Sequence, residues 1–222
     1  DFHVIVSIPV MKMHMHTHVT LSIKNMKGCL WRRSKVKLHM LPPLEGDENK
    51  PINIAIADMS CVLRPHLAII DGSVGMEGLG PSAGKAKRSD LIIVGADPFA
   101  ADSVACALMG TCAGNTPHLS IAGQRGYGVI DLDAIIIHPS HWQDWIKPFD
   151  RPPENLEIEF PRIRVLDKNS CSACQSTLLL FLKKYAPQVL AFFPDQDPVR
   201  IAIGKGHDHI PDSTLWIGNC LL

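Results

Sequence analysis

Aromatic residues supply only 6% of this 222-residue chain, and long apolar runs are missing altogether. No stretch approaches the ~20 apolar residues that a bilayer-spanning helix requires. The apolar opening, Phe2 to Met11, lacks the basic lead-in and small-residue cleavage site of a signal peptide. Excess charge of either sign is also missing, because 22 Lys and Arg offset 22 Asp and Glu. That balance removes the electrostatic ground for nucleic acid or an acidic membrane as partner, while a local basic patch can still hold a small anion. Internal repeats and low-complexity tracts are absent. Seven cysteines, an odd number without dense spacing, do not make a disulfide scaffold. A reduced, cytoplasmic setting is expected. Cys29, Cys61, Cys106 and Cys112 have apolar neighbours and are expected as buried thiols.

What is present suits a globular α/β fold. Hydrophobic residues make up 46% of the chain, enough for an ordinary core, and 16 Gly with 17 Pro suit shaped loops. Short β-rich runs alternate with helical ones, which predicts a mixed, largely parallel sheet flanked by helices. Strands are expected at 2–9, 66–71, 91–94 and 134–137. Val19, Ile23, Met26 and Leu30 share one helical face, and a second helix is expected from Pro51 to Cys61. Residues 72–89 read as a long glycine-rich loop. Asp97-Pro98 is an N-cap followed by proline at the first helical position, with Gly110 as the stop, and Pro117 opens a further short helix. Three segments result: an α/β core over 1–140, a linker or irregular cover over 141–161, and a small α/β lobe over 162–222. That lobe has strands at 163–166, 199–203 and 214–217 and a helix at 172–185. The chain starts at Asp1 inside a strand pattern and stops two residues after Cys220, as a fragment of a longer protein would.

Three groups of residues carry chemistry. Lys12, His14, His16 and His18 alternate with Met13, Met15 and Thr17, so an extended chain places one ammonium and three imidazoles on a single face. Such a face binds anions, moves protons or ligates metal, and Lys24 and Lys27 are expected to add positive charge near the same mouth, with the neutral amide of Asn25 beside them. The glycine loop follows a buried strand, and Gly78, Gly80 and Gly84 let backbone N–H groups approach a ligand. Gly78-x-Gly80-x-x-Ala83 matches the looser dinucleotide spacing but starts too far after the strand, and Leu79 and Ala86 break the P-loop pattern. Asp71 and Glu77 flank the loop as acid, base or metal groups, against a simple turn role for Asp71-Gly72. Asp97 reads as a cap, and Asp102 lies inside the helix that Asp97 starts. Cys171-Ser172-Ala173-Cys174 offers two thiolates to one metal or a redox pair at a helix N-terminus, with Cys220 as a third ligand. Tetrahedral zinc or iron, or an iron–sulfur cluster, needs a fourth.

Pro9-Val10-Met11-Lys12-Met13-His14 and Thr20-Leu21-Ser22-Ile23-Lys24-Asn25-Met26-Lys27-Gly28 resemble the hallmark segment of the bacterial and archaeal domain-of-unknown-function family 362. Arg64-Pro65-His66 through Asp71-Gly72, Glu77-Gly78-x-Gly80-Pro81 and Gly95-Ala96-Asp97-Pro98-x-Ala100-x-Asp102 resemble its later blocks, covering about residues 2–140 in order. The cysteine tail resembles a subgroup with a following Gly-Cys-Pro-Pro segment. The family's early Lys-Pro-Asn element is absent, and His66 stands where an acidic residue is usual. The resemblance implies the fold and, since some relatives carry ferredoxin-type clusters, a redox or metal character. The expected function is therefore a redox-linked protein with two sites and an electron-transfer partner. One is a cleft for a small anion or a metal, lined by Lys12, His14, His16, Lys24, Asn25, Asp71 and Glu77. The other is a separate iron–sulfur or zinc site on Cys171, Cys174 and Cys220. Two other readings stand beside it: a non-redox enzyme acting on a phosphorylated or carboxylated small molecule, and a zinc-stabilised binding or scaffold module.

Overall fold

A computed structural model describes residues 2–42, 44–81, 83–152, 160–205 and 207–218. The chain divides into two compact units, Asp1–Leu38 with Glu48–Pro152, and His39–Asp47 with Pro153–Leu222. Residues 141–152, read from sequence as linker or cover, thus fall in the first unit, and Phe149 is buried in its core.

The first unit is built on one long strand, β4 (Leu67–Glu77). β1 (Val6–Ser7) and β2 (Val10–His14) follow one another along one of its edges, both parallel to it, with Val6 opposite Leu67 and Val10 opposite Asp71. Pro9, which has no N–H to give, separates the two short strands where one strand over 2–9 was expected. Its carbonyl still accepts from Asp71 N at 2.8 Å. β3 (His18–Thr20) folds back antiparallel on β2. β5 (Lys85–Gly95) pairs antiparallel with the opposite edge of β4, as overlapping registers at Ala68 and Asp71 require. The sheet is therefore mixed, as expected of the α/β class.

The span 72–89 is not a long loop. It is most of a hairpin whose connection is only 78–84. Its glycines misled because they serve close packing inside a strand: a side chain at Gly72 would strike Met11 and Leu91, and one at Gly75 would strike the Phe149 ring. The strand expected at 134–137 is absent as well. Asp131 accepts the N–H of Asp133 and turns the chain into a 3-10 segment at Leu132–Ala134.

Helices α1 (Ser22–Asn25), α2 (Ser34–Lys37), α3 (Pro51–Val62), α4 (Pro98–Leu108) and α5 (Pro117–Gln124) complete the described part of this unit. The helical face read through Val19 is shorter than expected, since Val19 belongs to β3 and α1 passes into a 3-10 turn at Met26–Cys29. α4 starts as its sequence predicts: the Asp97 carboxylate accepts from Phe99 and Ala100 N–H, and Gly110 follows the helix at φ 73°. Met11, Met13, Ile23, Ile56, Ile70, Phe99, Ala105 and Leu119 form one core. Of the four cysteines expected inside, only Cys106 is buried, whereas Cys29, Cys61 and Cys112 are exposed. Apolar sequence neighbours do not fix the side on which a thiol emerges.

The second unit has its own parallel sheet, ordered β6 (Ile163–Lys168), β7 (Val199–Gly204), β8 (Thr214–Ile217). Helix α6 (Ser172–Phe192) runs beyond the expected Tyr185 and contains Pro187. Leu178, Leu182 and Ala186, four residues apart, form the stripe that packs with Ile163, Ile201 and Ile203. Among the described residues no helix is long and apolar enough to cross a membrane.

Candidate anion site and cysteine pair

The alternating histidines do not form one face. β2 ends at His14 and the chain reverses through residues 15–17, so His14 lies opposite His18 and Lys12 opposite Thr20. His14 Nδ1 accepts the N–H groups of His16 at 3.1 Å and Thr17 at 3.4 Å, which requires that nitrogen to carry no proton. The His14 and His16 rings meet edge to face at 5.8 Å, both buried, while His18 is exposed with φ 62°. The Asn53 amide donates to the His16 carbonyl at 3.2 Å and pins the turn to α3.

The hairpin connection does meet this turn. The Gly80 carbonyl accepts from Met15 N at 3.4 Å, and a side chain on Gly80 would collide with the Met13 carbonyl. Gly78, at φ 71°, donates its N–H to the Asp150 carbonyl at 2.7 Å, and Gly84 sits against the Glu77 carbonyl. These close approaches use the glycines within the chain itself.

The two carboxylates beside the connection have local partners. Asp71 accepts from the Ser73 hydroxyl at 2.6 Å and the Ser73 N–H at 2.9 Å, and these bonds hold it below the usual carboxylate range. Glu77 pairs with Lys87 at 3.3 Å and accepts from Asp150 N at 3.1 Å. His66, the departure beside Asp71, bonds reciprocally with Ile5, accepting its N–H on Nδ1 and donating its own N–H to the Ile5 carbonyl.

Positive charge gathers around Lys24. This side chain is only 7% exposed and donates from Nζ to Thr20 Oγ1 at 2.8 Å. Thr20 is the register partner of Lys12, so the two lysines share a hydroxyl neighbour, and Lys27 follows three residues on. Burial lowers Lys24 to about 7, with Lys27 and Lys12 acting in the same direction. Lys27 is itself lowered, by burial and then by Lys35. Among the described residues neither Lys12 nor Lys24 forms an ion pair with a carboxylate. Asn25 is exposed and donates to Ser7 Oγ at 3.2 Å.

Two groups of this region escaped sequence reasoning. Asp102, fully buried, accepts the N–H groups of Ser22 at 2.7 Å and Ile23 at 2.9 Å, so α4 fixes where α1 begins. Burial raises it to about 7 against the pull of those two bonds. His118, fully buried at the start of α5, is lowered to about 3, first by burial and then by Lys24 and His18. Proline at the preceding position announced the helix and nothing announced the neighbours.

In the second unit, Cys171 is the N-cap residue of α6, and its Sγ lies 3.7 Å from Cys174 Sγ. Two thiolates on one tetrahedral zinc, each ~2.3 Å from the metal, lie about 3.8 Å apart, so the pair fits a single metal ion. Gly218, at φ 104°, packs its Cα hydrogen side 3.3 Å, measured to an added methyl, from Cys174 Sγ. Cys220, the expected third ligand two positions further on, lies outside the described residues. His39 reaches Ser172 Oγ through Nδ1 at 2.9 Å, a neighbour 133 positions away that no local pattern reveals. Among the described residues no group of three or more His, Cys, Asp or Glu is assembled to hold a metal.

A curated relative is named as a thylakoid-associated protein, from Synechocystis sp.; it is 27% identical over 168 residues, which cover 75% of this chain. This chain spans about half of that relative's length, 51%. No solved structure matches. The sequence resemblance is borne out over residues 1–107, from β1 through most of α4, where the chain matches the family model described as Domain of unknown function (DUF362).

Proposed function

We propose that the first unit binds a small anion, phosphate or carboxylate, at Lys12, Lys24 and Lys27. The observation that carries this reading is Lys24, a buried ammonium with two lysine neighbours and a hydroxyl as its hydrogen-bond partner. An unpaired buried charge is costly, and an anion supplies the counter-charge. Lys24 is depressed from 10.5 to about 7. Its contribution to stability is therefore present above pH 10.5 and is lost as pH falls through about 7. Anion binding favours the charged amine, so affinity is greatest at and below that pH.

The test is thermal stabilisation by inorganic phosphate against chloride at matched ionic strength. Lys24→Met is expected to lower phosphate affinity at least about tenfold, or about 1.4 kcal/mol, while the free protein becomes no less stable. Equal stabilisation by both salts would overturn the reading.

The second unit supports a companion reading, that Cys171 and Cys174, with Cys220, hold zinc, iron or an iron–sulfur centre. The thiol spacing favours it. A bound iron centre would make the protein redox-linked, with an electron-transfer partner, in a reducing compartment such as the cytoplasm. Zinc alone would make the unit a metal-stabilised module. Metal and sulfide analysis of protein prepared under nitrogen decides: iron with acid-labile sulfide supports the redox form, zinc the structural form, and neither metal after reconstitution ends the reading.

A further inference from the structure

Charge alone does not explain why Lys24 lies so deep. Lys12 and Lys27, both partly exposed, already supply two ammonium groups close enough to act on Lys24. Lys24 is more deeply buried than either and donates from Nζ to Thr20 Oγ1. Removing an amine from water weakens its hold on a proton, and neighbouring cations weaken it further. Near pH 7 the neutral and charged forms of Lys24 are thus comparable in amount.

The groups around it keep this state. Lys12 comes from β2, His18 and Thr20 from β3, Lys27 from the 3-10 turn and His118 from α5. His118 is fully buried and neutral, and neither ring nitrogen makes a hydrogen bond of normal geometry, although the Thr17 backbone lies near enough to favour the charged ring slightly. A desolvated amine beside other cations is the arrangement in which lysine attacks carbonyl carbon.

We propose that the Lys24 Nζ condenses with the keto carbon of a 2-oxo acid whose carboxylate is held by Lys12 and Lys27. This rests on the anion reading of the same site and adds the substrate class. In the condensation the Nζ lone pair forms a bond to the keto carbon. The carbonyl oxygen takes the two protons of the neutral amine and leaves as water. The product is an imine, and nothing is oxidised or reduced. Thr20 Oγ1, already accepting from Nζ, is placed to relay one of those protons.

The test uses the full chain with pyruvate as probe and lactate, which has the carboxylate but no keto carbon, as control. Sodium cyanoborohydride traps any imine, and peptide mass spectrometry locates it. The expected result is a reduced adduct on Lys24 formed at least about tenfold faster than on any other lysine, with none from lactate. Lys24→Arg should abolish the adduct at this position, and both acids should raise the melting temperature of the unsubstituted chain, which reports anion binding separately from the imine. Stabilisation by both acids without an adduct on Lys24, or adducts scattered evenly over surface lysines, overturns the imine and leaves the anion site standing. No thermal response to either acid overturns both.

Discussion

Asp102 shows how one side chain holds two elements together. Its carboxyl takes both N–H groups that open α1, and burial raises its pKa from 3.8 to about 7. The folded protein therefore binds more protons at this group than the unfolded chain does. Its contribution is fully present below about pH 4 and declines as pH rises through about 7. Asp102→Asn is expected to flatten stability against pH over that window, as read by urea denaturation. Asp102→Ala leaves two buried N–H groups without an acceptor and should cost about 2–4 kcal/mol. That Lys12 lies near Lys24 was legible because strand and helix periods bring the two stretches together. Asp102 was not, because its partners lie 79 and 80 positions away and no local pattern encodes that distance.

The hairpins separate what the chain pattern reveals from what it conceals. Alternation in 12–18 is real up to His14, and the reversal at 15–17 then breaks it, because His14 itself caps the turn. Period-two reading assumes an unbroken strand, and a His-based turn gives no glycine or proline signal. The connection 78–84 makes a sharper test. Gly80→Ala drives a methyl into the Met13 carbonyl, so the connection must lift from β2. We expect a loss of about 2 kcal/mol or more and faster amide exchange at Met15. Gly78→Ala meets nothing within 4 Å and bears only the positive-φ cost, about 1–2 kcal/mol. Chemical denaturation of the two variants checks the order.

Each of the two units carries its own apolar cluster. Their alternating elements were readable because buried parallel strands and an i, i+4 leucine stripe are local patterns. The inclusion of 39–47 in the second unit was not, since only folding brings His39 to Ser172. Leu182→Ala should cost about 2–5 kcal/mol, seen as faster exchange in β6 and β7 by hydrogen-exchange mass spectrometry. Loss of protection confined to α3 and α4 would contradict this assignment of the cores.

The 3.7 Å thiol spacing at the start of α6 has a practical corollary. Neighbouring thiols so placed are readily joined by dissolved oxygen or by disulfide exchange, and an oxidised pair no longer offers two thiolates to an incoming ion. Handling history then bears on an elemental assay: a pair left without metal and aerated reads as empty, and a thiol count taken beside it tells a vacant site from a sealed one.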